Sequence, residues 1–238
     1  YELTASEVNG LYVGTVIPPI IKDTTDTFSK SIVQLYNGAT YAADAGSRVV
    51  GKKYLKLDSP SNPTQFASIL PFIPTTNGIS FSFWIKISNI TNAFIFNFRD
   101  ANEVNQTFMG LFPLLPNFLG ISNNSGTPDY TTISFASIGD GGWHHIVWTM
   151  TYSATQTSTW KVYFDKTLNT TLTSKSYINI VTRTYHNIGT YDNSGDPTYG
   201  FSAGIDNFKI YHKTLSDAEV IADYNDNFVG ISELSYSV

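Results

Sequence analysis

Between Tyr191 and Tyr199 the chain runs Asp192-Asn-Ser-Gly-Asp196. Two carboxylates with amide and carbonyl oxygens are a ligand set for calcium, a hard cation that takes roughly six to eight oxygens. The spacing lacks the third acid and the terminal glutamate of an EF-hand loop, so a plain polar turn is the competing reading. The flanking rings offer a second chemistry. Aromatic faces stack on the C–H surfaces of sugars, while amides and carboxylates bond the hydroxyls. Tyr191, Asn193, Tyr199 and Trp160 are therefore the candidate ligand-binding residues, and Asp192 and Asp196 the candidate metal ligands. Trp160 follows a Ser/Thr-rich stretch and is the tryptophan expected at the surface. Trp84, Trp143 and Trp148 are expected in the core, because sheets pack aromatic residues on their faces.

Hydrolysis of a glycosidic bond needs two carboxyl groups about 5–10 Å apart, and alternate positions of one strand deliver them to the same face. The glutamates are Glu2, Glu7, Glu103, Glu219 and Glu233, and none has an acid two positions away within a strand-like run. Asp217 and Glu219 have that spacing, but they open a helix and favour its positive end. His144 and His145 are neighbours on a strand and so point to opposite faces. His145 reads as a core histidine paired with backbone. A Ser-His-Asp set assembled from distant positions stays open, although no Gly-x-Ser-x-Gly elbow is present. The chemistry points to binding, with a polysaccharide hydrolase or lyase of unrecognised acids as an alternative.

Period-2 alternation supplies the elements that would position these residues. Phe81, Phe83, Ile85 and Ile87 alternate with Ser80, Ser82, Trp84 and Lys86; Phe94, Phe96 and Phe98 alternate against Asn97 and Arg99. From Trp143 to Met150 both faces are bulky, which predicts a central strand covered on both sides. The exception is Ser216 to Tyr224, where Ser216 and Glu219 form a capping box and Leu215 with Val220 a hydrophobic staple. The chain thus reads as all-β with one short helix near its C-terminal end. Pro18-Pro19 would interrupt sheet pairing, so residues 1–25 are expected to be an arm or first strand, with one domain over 26–238.

Composition narrows the partners. Of 238 residues 14% are charged and 15% aromatic, and the formal charge is −5, against an average near 25% charged. The surface must be built from Ser, Thr, Asn and Tyr. No clustered positive field suits nucleic acid, no apolar run reaches the roughly 20 residues of a membrane helix, and the absence of cysteine removes thiolate chemistry. The start at Tyr1, without a leader, suggests an excised piece of a larger protein.

Taken in order, several stretches resemble the laminin-G-like, concanavalin-A-like jelly-roll family. They are Tyr54-Leu-Lys-Leu-Asp58, Gly78-Ile-Ser-Phe-Ser-Phe-Trp-Ile-Lys86, Gly141-Gly-Trp-His-His-Ile-Val-Trp148 and Val162-Tyr-Phe-Asp165. Asn187-Ile-Gly189, Phe201 to Tyr211 and the helix after Thr214 complete the set. The resemblance implies a two-sheet antiparallel jelly-roll sandwich with one concave sheet. It also implies that Asp206 supports a structural Ca²⁺, with Asp23 and Asp26 as possible partners. At Asp165-Lys166 the family usually has Gly after Asp, which suggests a different hairpin.

Fold does not fix function. The expectation is a non-catalytic module that binds a glycan or glycosylated partner at a rim or on the concave sheet, acting from an extracellular, cell-surface or virion surface. The alternative is a structural subunit of a virion, fibre or surface layer, with oligomers then expected. Asn89, Asn105, Asn123 and Asn169 each begin an Asn-x-Ser/Thr sequon and are candidate glycosylation sites.

Overall fold

The computed structural model describes residues 32–42, 54–58, 64–87, 93–100, 105–111, 118–122, 129–134, 137–155, 157–191 and 202–226. The segment 1–25 lies outside them. Strands β1 (Ile32–Tyr36), β4 (Phe66–Ile69), β6 (Ala93–Arg99), β7 (Gln106–Leu111), β8 (Phe118–Ser122), β9 (Asp129–Thr132) and β13 (Tyr185–Ile188) make the first sheet, in the order β1-β4-β13-β6-β7-β8-β9. Strands β2 (Thr40–Ala42), β3 (Tyr54–Leu57), β5 (Ile79–Ile87), β10 (Trp143–Met150), β11 (Thr157–Phe164), β12 (Thr167–Ser176) and β14 (Ala203–Tyr211) make the second, in the order β12-β11-β10-β5-β14-β3-β2. Every pairing is antiparallel. This is the expected jelly-roll sandwich.

Alternation explains which residues meet between the sheets. Phe81, Phe83, Ile85 and Ile87 of β5 and Ile146, Trp148 and Met150 of β10 face Phe96, Phe98, Met109 and Ile188 in one apolar cluster. Phe81 lies 5.1 Å from Phe96 and 5.8 Å from Trp148, ring centre to ring centre. The opposite faces of β5 and β10 are buried as well, because helix α1 (Asp217–Asp226) packs over them. Leu215 and Val220 join Val147, Tyr163 and Tyr211 in a second cluster beneath that helix. The capping box forms as expected: Ser216 N–H donates to Glu219 Oε2 (2.9 Å), and Glu219 N–H donates back to Ser216 Oγ (3.3 Å).

Three sequence expectations are corrected. Trp160 is fully buried, not exposed. Its ring meets Trp148 edge-on at 5.0 Å and its Nε1–H donates to the Ser176 carbonyl at 2.9 Å. Its neighbours Thr159 and Lys161 take the other face of the strand, and the buried indole cannot stack on a sugar. Trp160→Phe is expected to cost about 1–3 kcal/mol in urea unfolding, through the lost hydrogen bond and lost volume.

The second correction concerns Phe94. A register shift between Phe94 and Phe96 is a β-bulge, which turns the preceding residue to the other face. Phe94 therefore leaves the core and packs on Phe108 at 5.6 Å. The third concerns the β11–β12 hairpin. Asp165 and Lys166 both have positive φ, 47° and 64°, the two-residue geometry that Asp-Gly favours. The hairpin is the ordinary one, held with Lys where Gly would be less strained; Lys166 Nζ lies 4.8 Å from the Tyr224 ring centre.

Candidate binding face

Alternation along β6, β7 and β13 sends Asn97, Arg99, Gln106, Phe108, Tyr185 and Asn187 to the side of the first sheet that faces away from the core. Register places Tyr185 beside Arg99, Asn187 beside Asn97, and Asn97 beside Phe108. Tyr191, just after β13, closes over them. Its ring centre is 5.0 Å from that of Phe94, and its carbonyl accepts the Asn97 Nδ2–H at 2.7 Å. The Arg99 guanidinium lies 5.1 Å from the Tyr185 ring centre and 5.6 Å from that of Tyr191. Both tyrosines are half-buried, whereas Asn97 and Arg99 are buried.

Among the described residues, three buried polar atoms of this face have no hydrogen-bond partner: Asn97 Oδ1, Arg99 Nε and Gln106 Nε2. Such groups carry a desolvation cost unless something bonds them. Aromatic rings, amides and a guanidinium on one face are the means by which proteins hold sugars. Of the sequence candidates, Tyr191 lies here. Asn193, Tyr199, Asp192 and Asp196 lie outside the described residues. Sequence reasoning did not single out Arg99, Asn97 or Tyr185, although the alternation of β6 already set Asn97 and Arg99 on a common face.

A Ser-His-Asp grouping does assemble elsewhere. Ser82 Oγ and Asp223 Oδ2 both lie against His145 Nε2, at 2.9 and 3.2 Å, and Ser82 Oγ–H donates to Asp223 Oδ2 at 2.5 Å. A relay would need the acid on one ring nitrogen and the serine on the other. Here both use the same nitrogen, all three residues are buried under the helix, and Asp223 Oδ1 also accepts Lys209 Nζ–H (2.5 Å) and Tyr211 Oη–H (2.6 Å). The cluster fastens helix to sheet. His145 is thus a core histidine, but its ring is partnered by side chains and not by the backbone, which corrects that part of the expectation.

His144 points the other way, as expected. Its Nδ1 bonds Asp165 Oδ2 at 2.8 Å and its Nε2 bonds Asp140 Oδ1 at 3.1 Å. The imidazole fills the gap between the two carboxylates. Burial opposes its charging, but these two acids outweigh that and raise its pKa.

Asp206 is fully buried at a bulge of β14, where its Oδ1 accepts the Asn207 N–H at 2.9 Å and Asn207 has a positive φ of 49°. Among the described residues no three His, Asp or Glu side chains gather to hold a metal ion. Asp23 and Asp26 lie outside those residues. Of the sequons, Asn105 is buried with positive φ (54°); its Nδ2–H donates to Asp100 Oδ2 and its Oδ1 accepts from Asn179. That amide has no room for a glycan, which corrects the expectation for Asn105. Asn169 is exposed and donates to the Ser134 carbonyl at 2.9 Å. Asn89 and Asn123 lie outside the described residues. No helix among the described residues is long and apolar enough to cross a membrane.

Comparison with known proteins agrees with this fold. A family model, Laminin_G_3, described as the concanavalin A-like lectin/glucanases superfamily, matches residues 51–221. Curated protein sequences give no match. Among solved structures, the binding domain of Paraclostridial Mosquitocidal Protein 1 is similar at 15% identity and TM-score 0.59, over 82% of this chain and 48% of that one. The binding domain of botulinum neurotoxin DC, solved with rat synaptotagmin II, aligns at 14% identity and TM-score 0.63, over 88% and 52%. A botulinum neurotoxin type C structure, whose cell entry is described as dependent on two ganglioside molecules, aligns at 15% and 0.62, over 88% and 51%. The chain spans about half the length of these structures, and at such identities the likeness is one of fold. The match over most of the chain, with its two-sheet sandwich, places it in the concanavalin A-like lectin/glucanases superfamily.

Proposed function

We propose that this chain is a non-catalytic recognition module that binds a glycan, or the glycan of a glycosylated partner, on the outer face of the first sheet. The observation that carries this reading is the face itself: Tyr185 and Tyr191 beside Arg99, with unpartnered amide atoms of Asn97 and Gln106 behind them. The rings supply stacking surface, and the buried amides supply directional bonds to hydroxyls. The similar structures are binding domains, one described through gangliosides and one through a protein receptor, which supports the class without giving the ligand. The two carboxylates nearest a histidine, Asp140 and Asp165, are spent on His144 and on backbone N–H groups, in keeping with binding rather than cleavage. Calcium held by Asp192 and Asp196, which follow Tyr191 in the sequence, belongs to the same proposal.

The test is a glycan array followed by titration of the strongest hit. Tyr191→Ala and Tyr185→Ala are each expected to weaken binding about tenfold, the loss of one stacked ring at about 1.4 kcal/mol. Retention of full affinity by both variants, or no retained glycan at all, overturns the reading. Chelation with EDTA is expected to lower affinity; an unchanged affinity removes calcium from the proposal.

A further inference from the structure

Two guanidinium groups are buried near the end of β6, and they are treated differently. Arg183 donates to three carbonyls: Asn105 O (2.5 Å), Val181 O (3.3 Å) and Asn179 O (3.1 Å). Arg99 has one long bond, 3.5 Å to the Asp100 carbonyl, while its buried Nε has none. The Asp100 carboxylate lies in the field of Arg183 and takes a 2.6 Å hydrogen bond from Asn105. Two cations thus share one described anion, and no salt bridge to Arg99 forms among the described residues. A buried charge without a partner is among the costlier features a fold can carry.

We infer that Arg99 is the anchor for a carboxylate of the bound sugar, so that the ligand is an acidic glycan bearing a uronic or sialic acid. This rests on the glycan reading of the same face. The guanidinium presents its N–H groups as a planar fork that matches the two oxygens of a carboxylate. The half-buried rings of Tyr185 and Tyr191 flank that fork at 5.1 and 5.6 Å, and its buried Nε–H is left without a partner for the ligand to take up. Asn97 Oδ1, two residues along the strand, accepts from a hydroxyl of the same residue, and Gln106 Nε2 on the neighbouring strand donates to another oxygen. One charged fork, one acceptor and one amide donor describe an acidic monosaccharide better than a neutral one.

The experiment uses the full chain against matched triplets on one array. Each neutral oligosaccharide is printed beside its carboxylated and its sulfated counterpart, and the strongest triplet is then titrated in solution. The carboxylated member is expected to bind at least about tenfold tighter than the neutral one, the weight of one charge-assisted pair. Arg99→Gln is expected to abolish that preference. Arg99→Lys, which keeps the charge and loses the fork, is expected to lose most of it, and serves if the glutamine variant does not fold. Equal binding of neutral and carboxylated members overturns the inference and leaves the glycan reading standing. Tighter binding of the sulfated member, or a carboxylate preference that survives in both Arg99 variants, also overturns it. Binding of no member of any triplet overturns both.

Discussion

Asp223→Ala is expected to destabilise the fold by about 3–5 kcal/mol, the usual cost of removing one partner from a buried ion pair. At this chain length that is a fall in Tm of roughly 6–20 °C. Asp223 sits on α1, almost wholly buried, and its two oxygens serve Lys209, Tyr211, Ser82 and His145 together. Burial alone would raise its pKa, yet Lys209 and His145 outweigh that and hold the carboxyl far below the usual range. Removing it strands the Lys209 ammonium between helix and sheet. Asp223→Asn should lose nearly as much, since it keeps the shape but not the charge. The double variant Lys209→Met, Asp223→Leu should recover much of the loss, because a buried pair replaced by apolar groups is often near neutral. A single variant melting within about 2 °C of the parent, less than one kcal/mol at this size, would show that the clasp contributes nothing. The depressed carboxyl also sets an acid limit: its contribution is full above about pH 4, the unfolded value, and declines steadily below it.

A separate loss is expected at milder acidity. His186 lies between Phe72 and Phe98, at 5.1 and 5.5 Å, with its Nε2 unpartnered. Burial, aided by the nearby Arg183 charge, lowers its pKa from 6.5 to about 4. The unfolded chain therefore takes up this proton first. Stability from the neutral ring is complete above pH 6.5 and is lost as pH falls towards 4, in total about 3 kcal/mol at some 1.4 kcal/mol per unit. His144 has the opposite sign, since its raised pKa favours the folded state below pH 6.5; solvent screening of its half-exposed partner Asp140 weakens that effect. Comparing the parent with His186→Phe isolates the first effect. The difference between their urea-unfolding free energies should change by about 3 kcal/mol between pH 7 and 4, and parallel profiles would refute it.

Much of this architecture can be read along the chain because alternation states which face each residue takes. The double burial of β10 follows from bulky residues on both of its faces, and Ser216 with Glu219 announces the helix. What resists such reading is lateral. Nothing near Ser82 tells that His145 and Asp223 will meet it, at separations of 63 and 141 residues. Trp160 misleads because its polar neighbours occupy the opposite face, and Phe94 because one extra residue reverses the sides. Asn105 fits a sequon by spelling, while its positive φ and buried amide depend on partners at Asp100 and Asn179. The binding face suffers most: Arg99, Tyr185 and Tyr191 become neighbours only through the pairing of β6 with β13. Tyr191 could be chosen from its surroundings; the cation beneath it could not.

The flank formed by β9 and β12 has a consequence for how copies of this chain can meet. Asp129 on the last strand of one sheet accepts Lys175 Nζ–H at 2.9 Å and Ser176 N–H at 2.5 Å on the last strand of the other. β12 also shifts register against β11 at two places, with Ser174 at a φ of 57°. A stitched and irregular margin makes a poor template for an incoming strand. Crowded molecules should therefore resist zipping into continuous ribbons along that side, and any assembly they form there must press surface against surface.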